Sequence, residues 1–271
     1  MKRTPQEQAK TFRELHARDR LLRLPNAWDA GSARLMEANG AEAIATTSAG
    51  LAWSCGYPDG DALPVRVHAA AVAAIARVVR VPISADSEGG YSDDPRAVGE
   101  TIAALIDAGA VGINLEDGTG TADLLCAKIE AVKGAAQRKG VDLFLNARTD
   151  VFLKGLVPPE RALDEALARG LRYRDAGADG FFVPRLVDPA AIRTVVGEIA
   201  LPLNLLVGPG LPPIAELERL GVRRVSAGSG VASAAYGAAL AAEKAFLGDG
   251  DYRPLVERTL PYGVMNELLK G

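Results

Sequence analysis

From residue 21 onward, short apolar runs alternate with amphipathic stretches that end at glycine. The apolar runs fall at Leu21–Pro25, Ala43–Thr47, Val81–Ala85, Val111–Leu115, Leu143–Ala147, Asp179–Pro184, Leu201–Leu206 and Val222–Ser226. Runs this short and this continuously apolar predict strands covered on both faces, as in a parallel sheet. Helices are predicted between them, over Ala30–Asn39, Val65–Val79, Pro95–Asp107, Ala122–Lys139, 158–175, Pro189–Ile199, Ile214–Leu220 and Ala232–Leu247. Asp29 and Pro95 are placed as start signals, and Gly40, Gly109, Gly140 and Gly177 as stop signals. A polar helix over 5–20 precedes the first strand, and a pair of short helices over Tyr252–Gly271 follows the last. Strict strand–helix alternation through eight units, in about 250 residues, predicts a closed α/β barrel of the (β/α)8 TIM type rather than an open doubly wound sheet. Residues 1–271 read as one domain, with no linker and no low-complexity segment.

Composition narrows the class further. The chain is 48% apolar and carries a net charge of −3, so nothing in its charge attracts nucleic acid or an anionic membrane. No run is long enough to span a bilayer, and the polar N-terminus lacks the apolar core of a signal peptide. Cys55 and Cys126 are not at metal or redox spacing. A reduced, cytoplasmic enzyme is the expectation.

Chemistry gathers where the strands end. The third strand runs into Asp86, Glu88 and Gly89-Gly90, the fourth into Glu116-Asp117-Gly118, and the fifth into Arg148-Thr149-Asp150. In a β/α barrel the C-terminal ends of the strands form the catalytic face. Asp86 and Glu116 are hard oxygen donors on neighbouring strands, which suits Mg²⁺, and Glu88 lies close by. Arg148 has the fork that pins a carboxylate. Ser48-Ala49-Gly50 offers a hydroxyl and backbone N–H groups. Trp28, Asp59 and Asn204 also point to the loop face. The set suits a small α-oxo acid whose carboxylate sits on Ser48 and the turn, with a cation stabilising the developing enolate. Asp29, Asp61, Asp94 and Asp117 read as cap or turn residues, and His16 and His68 as surface or packing residues. The glycine-rich turns 208–210 and 226–230 read equally well as phosphate loops or tight turns.

These residues resemble the isocitrate lyase/phosphoenolpyruvate mutase superfamily, from Pro25-Asn26-Ala27-Trp28-Asp29 to about Phe246. The resemblance rests on Thr47-Ser48-Ala49-Gly50, Gly56-Tyr57-Pro58-Asp59, Ser84-Ala85-Asp86 with Gly90-Tyr91, Leu115-Glu116-Asp117, Ala147-Arg148-Thr149-Asp150 and Asp175-Ala176-Gly177-Ala178-Asp179. It implies a Mg²⁺-dependent lyase that cleaves a C–C bond of a small α-oxo or 2-hydroxy carboxylate through an enolate. A P–C phosphonomutase and a non-catalytic α-oxo acid binder are the alternatives. It further implies Ser48 and Gly50 on the carboxylate, Asp59, Asp86 and Glu116 around the metal, Arg148 on the substrate, and a homotetramer in which the eighth helix is exchanged between subunits. The chain departs from the family pattern at Ser84, where an Asp is usual, and Glu88 is placed to stand in for that carboxylate on the metal side through water. It departs again after Glu116, where Gly118–Ala122 carries none of the Lys, Cys or His of the relatives' lid loop.

Overall fold

Pro25 decides how the sheet closes. Proline cannot donate to a ladder, and in the computed structural model, which describes residues 3–257 and 259–270, it splits the first strand in two. The halves are β1 (Leu22–Leu24) and β2 (Asn26–Ala27). The remaining strands are β3 (Ile44–Thr46), β4 (Ile83–Asp86), β5 (Gly112–Glu116), β6 (Phe144–Arg148), β7 (Gly180–Phe182), β8 (Leu203–Leu206) and β9 (Arg224–Ser226). All pair in parallel and in chain order. β2 joins β3 at one end of the series and β1 joins β9 at the other. The two halves of one strand therefore bring the sheet round into a (β/α)8 barrel, as the alternation predicts.

Several boundaries differ from the sequence pattern. Asp86, Glu116 and Arg148 are the last residues of their strands rather than the first beyond them, because ladder pairing reaches Asp86↔Asn114 and Glu116↔Arg148. The leading helix ends at Ala17 and the eighth helix spans Gly230–Gly248. Short helices at Ser48–Ser54 and Val151–Lys154 occupy stretches read as loops, being too short to show periodicity. The tail forms Pro254–Glu257 and Tyr262–Leu269, and Gly271 lies outside the described residues.

The leading helix plugs the barrel at its N-terminal end. Its Phe12 and His16 are buried against Phe144, with the His16 and Phe144 rings stacked at 4.0 Å. Gly112 leaves room for this contact, since a Cβ there would lie 2.4 Å from Phe12 Cε1. His16 Nδ1–H donates to the Phe12 carbonyl at 2.8 Å. Burial pushes the His16 imidazole down to about 3, with nearby Arg224 acting in the same direction. Burial pushes His68 down to about 4 against the pull of Asp86. Both are thus neutral when folded, while an unfolded histidine titrates near 6.5. Below that pH the unfolded chain binds more protons, so stability is complete above it and falls as pH drops. Between pH 6.5 and 5, unfolding free energy is expected to decline by up to about 1.4 kcal/mol per pH unit for each imidazole. Urea titrations of His16→Leu should show one imidazole's share of that slope gone; an unchanged slope contradicts the assignment.

At the other end of the chain the helix Gly230–Gly248 stands off its own barrel. Ala232 is its one residue described as buried, while Val231, Tyr236, Leu240, Phe246 and Leu247 are exposed. Among the described residues no helix is long and apolar enough to cross a membrane.

Candidate active site

β4, β5 and β6 set three charged side chains side by side at the C-terminal rim. Asp86 is largely buried. Its Oδ2 accepts the Ser48 N–H at 3.2 Å and its Oδ1 accepts Asn114 Nδ2–H at 3.3 Å, two long contacts that leave the carboxylate lightly held. Glu116 meets Arg148 Nη1 at 2.7 Å. Arg148 Nε donates to Asp150 Oδ1 at 2.7 Å, and the guanidinium lies 5.7 Å from the centroid of the Phe182 ring. Two of the three guanidinium nitrogens are thereby fixed, and Nη2 makes no hydrogen bond among the described residues.

The electrostatics show an excess of carboxylate. Burial pushes Glu116 up to about 8; Arg148 opposes the rise, and Asp150 and Asp86 add to it. Burial works against the Arg148 charge, but Glu116, Asp150 and Asp86 outweigh it and hold the guanidinium more firmly protonated than usual. A cation placed between Asp86 and Glu116 would relieve this repulsion. The described residues contain no ready-made group of three or more metal-ligating side chains. Two carboxylates with water and substrate in the other positions fit Mg²⁺. Asp86 and Glu116 are the residues that would hold it.

The other sequence-selected residues divide. Glu88 lies beside the site but is engaged: its Oε2 accepts the Asp61 N–H at 2.5 Å and its Oε1 accepts the Tyr91 hydroxyl at 3.2 Å. With that proton committed, Nδ1 is the nitrogen through which His68 donates to the phenol oxygen, at 3.1 Å. Glu88 and Tyr91 both take left-handed backbone angles, φ 50° and 63°. Such angles are costly outside glycine and are held only where surrounding contacts fix them. Burial raises the Glu88 carboxyl, against the Asp61 N–H bond, with Asp61, Asp59 and Asp86 adding to the rise. Asp59 itself stays on an exposed loop and makes no side-chain hydrogen bond among the described residues.

Ser48 opens the helix Ser48–Ser54, so its N–H reaches Asp86 as an unpaired helix-start donor. Ala49 and Gly50 are buried behind it. A Cβ on Gly50 would lie 2.8 Å from Thr47 Cγ2 and 2.9 Å from Trp28 Cβ, so this glycine serves close packing. Trp28 lines an apolar groove with Leu35, Met36, Val231, Val264 and Leu268. Asn204 is fully buried inside the barrel, where its Oδ1 accepts the Ser226 hydroxyl at 2.9 Å. The turn 226–230 has its Gly228 N–H taken by Asn26 Oδ1 at 2.9 Å.

Three groups escaped the sequence reading. Asp117 is not a turn residue. Its carboxylate accepts Thr149 Oγ1–H (2.7 Å), Asp150 N–H (2.9 Å), Arg169 Nη1–H (2.9 Å) and Tyr173 O–H (2.7 Å). Beneath the rim, Asn114 Oδ1 accepts from Asn146 Nδ2 (2.9 Å) and Arg224 Nη2 (3.2 Å), which turns its amide N–H₂ toward Asp86. Arg224 is fully buried and forms no ion pair among the described residues; burial lowers it to about 9, against the Asp86 charge. The asparagines could have been found as polar inward positions two residues before Glu116 and Arg148. The third group is Lys154, whose ammonium lies 3.1 Å from Asp150 Oδ2, off the hydrogen-bonding axis.

Two carboxylates and an arginine on adjacent strand ends lie where a β/α barrel carries its active site. The sequence matches the phosphoenolpyruvate phosphomutase family over residues 12–247. The chain belongs to that family, within the phosphoenolpyruvate mutase/isocitrate lyase superfamily, whose members are carbon–carbon lyases and mutases. An uncharacterised protein of Mycobacterium tuberculosis is 39% identical, over 96% of each chain. An oxaloacetate decarboxylase of Pseudomonas aeruginosa is 30% identical, over 73% of this chain and 74% of its own. A crystal structure from Burkholderia cenocepacia, provisionally named a lyase/mutase, superposes with a TM-score of 0.89 at 37% identity, covering 98% of this chain and 97% of that one.

Proposed function

We propose that this enzyme cleaves a C–C bond in a small α-oxo dicarboxylate of the oxaloacetate type, with Mg²⁺ as cofactor. The supporting observation is the placement of Asp86, Glu116 and Arg148 on three adjacent strand ends, with Glu116 2.7 Å from Arg148 Nη1 and only a short turn after β5. Only residues 117–121 separate β5 from the helix Ala122–Lys139. Arg148, fixed through Nε and Nη1, offers Nη2 to a substrate carboxylate, and the Ser48 turn receives the other end. Bound at Asp86 and Glu116, Mg²⁺ would supply a Lewis acid for the developing enolate oxygen. An open rim admits water, which weakens those contacts and favours a reaction that needs only an enolate and a proton.

The experiment is release of pyruvate and CO₂ from oxaloacetate, run beside 2-hydroxy tricarboxylates and an α-oxo phosphonate, with and without Mg²⁺. Decarboxylation that requires Mg²⁺ is expected. Cleavage of isocitrate-like substrates should stay below about 1 s⁻¹, under the usual enzyme range. Cleavage of isocitrate at ordinary enzyme rates contradicts this reading, and oxalate binding without turnover on any substrate makes the chain a binder. The match to the phosphomutase family favours P–C rearrangement as a second reading, which the phosphonate arm tests.

The same reading extends to assembly. A helix with one buried residue and an apolar surface needs a cover. Exchange of Gly230–Gly248 between paired subunits of a homotetramer supplies it. Sedimentation at micromolar protein is expected to give the tetramer, and a stable monomer contradicts the exchange.

A further inference from the structure

We propose that Lys154 delivers the proton to the enolate carbon in the reaction proposed above, a role that rests on that reading. Lys154 ends the short helix Val151–Lys154 and faces a cleft of about 520 Å³ that Glu88, Glu116 and Gly118 also line. A chain of contacts ties it to the site: Lys154 Nζ to Asp150 Oδ2 at 3.1 Å, Asp150 Oδ1 to Arg148 Nε at 2.7 Å, and Arg148 Nη1 to Glu116 Oε2 at 2.7 Å. Its ammonium packs against the short turn after β5, where a Cβ on Gly118 would lie 3.4 Å from Nζ. The lysine from the loop after β6 thus stands over the space left by the brevity of 117–121.

The other cleft groups are committed. Lys128 is buried, donating to the Gly89 carbonyl at 2.9 Å and pairing with Asp93 at 3.4 Å. Tyr91 has its proton on Glu88, and burial drives its phenol far above the ordinary value. Glu88 and Asp61 accept backbone N–H groups. The Lys154 side chain is 40% exposed, with Asp150 as its single ion-pair partner among the described residues. With Glu116 assigned to the cation, Lys154 is the described cationic group of the cleft that combines an ammonium proton with exposure to water for reprotonation.

The step balances without a further reactant. The C3–C4 bond of oxaloacetate breaks, its electron pair enters the C2–C3 enolate, and CO₂ leaves. The enolate pair then takes a proton from Nζ, C2 regains its carbonyl, and the neutral amine recovers a proton from solvent. In reverse, the neutral amine removes a methyl proton from pyruvate, so the protein should exchange pyruvate hydrogens for deuterium in D₂O.

The test compares wild type with Lys154→Met and Lys154→Arg. Arginine keeps the positive charge beside Asp150 but is a poor proton donor. Both variants are expected to bind oxalate with Mg²⁺ within about threefold of wild type by calorimetry. Both should lose pyruvate deuterium exchange by at least about 100-fold, the usual scale of general acid–base catalysis. Added methylamine should restore exchange in Lys154→Met. A second readout needs no turnover: acetic anhydride should label Lys154 in the free protein, and oxalate should protect it. Exchange within threefold of wild type in either variant, or labelling indifferent to oxalate, overturns the role of Lys154 while leaving the lyase reading intact. Wild type that neither binds oxalate nor exchanges pyruvate overturns both.

Discussion

Asp117→Ala is expected to lower the unfolding free energy by about 3–5 kcal/mol, the scale for removing one partner of a buried, hydrogen-bonded charge pair. The Asp117 side chain is fully buried and receives four donors from two places: Thr149 and Asp150 after β6, and Arg169 and Tyr173 on the helix Ala162–Asp175. Alanine would leave the largely buried Arg169 without its carboxylate on this side and strip two hydroxyls and an N–H of their acceptor. The loss reaches function because Asp117 follows Glu116, and Asp150 both donates to Asp117 and holds Arg148. Asp117→Asn keeps an acceptor oxygen and should cost less, but its amide N–H₂ faces donors. Urea denaturation gives the first quantity and oxalate binding the second. A loss under about 1 kcal/mol, the level of an ordinary single hydrogen bond, with unchanged binding would show that the knot is not what sets the rim.

Asp86→Ala is expected to reduce Mg²⁺-dependent turnover by about 10²–10³-fold, the range found when one group that stabilises developing charge is removed. Unlike Asp117, Asp86 makes only two long side-chain hydrogen bonds, at 3.2 and 3.3 Å, so stability should barely change. The two substitutions thus separate by mechanism, since one unfolds the rim and the other leaves it folded and inert. Glu116→Ala should resemble Asp86→Ala in turnover. It also releases Arg148 Nη1, so substrate affinity should change with it. Wild-type Mg²⁺ dependence in Asp86→Ala ends the metal assignment.

What the sequence could disclose was local. Eight apolar runs with helical spacers prescribe a barrel because burial on both faces leaves its mark on every strand residue. Asp86, Glu116 and Arg148 could be seen for the same reason, as polar residues closing an apolar run. Asp117 could not be read correctly, because a carboxylate beside glycine looks like a turn residue until Tyr173, fifty-six positions later, is brought onto it. Lys154 was hidden by its helix, a single turn with no period to detect. Arg224 was hidden inside the run Val222–Ser226: which of two adjacent arginines faces inward is decided only by register with Asn204 and Leu22. Trp28 was visible by its place near a strand end, but not the apolar groove that it lines with Val231 and Val264 from the far end of the chain.

The strand broken at Pro25 has a bearing on how the molecule is made. Leu22 leaves the ribosome well before its ladder partner, Arg224. Synthesis at about 5–20 residues per second puts roughly ten to forty seconds between the two. Throughout that interval β1 has an unpaired edge, of the kind that recruits other chains. Ring closure therefore waits on β9, the last of the described strands to be translated.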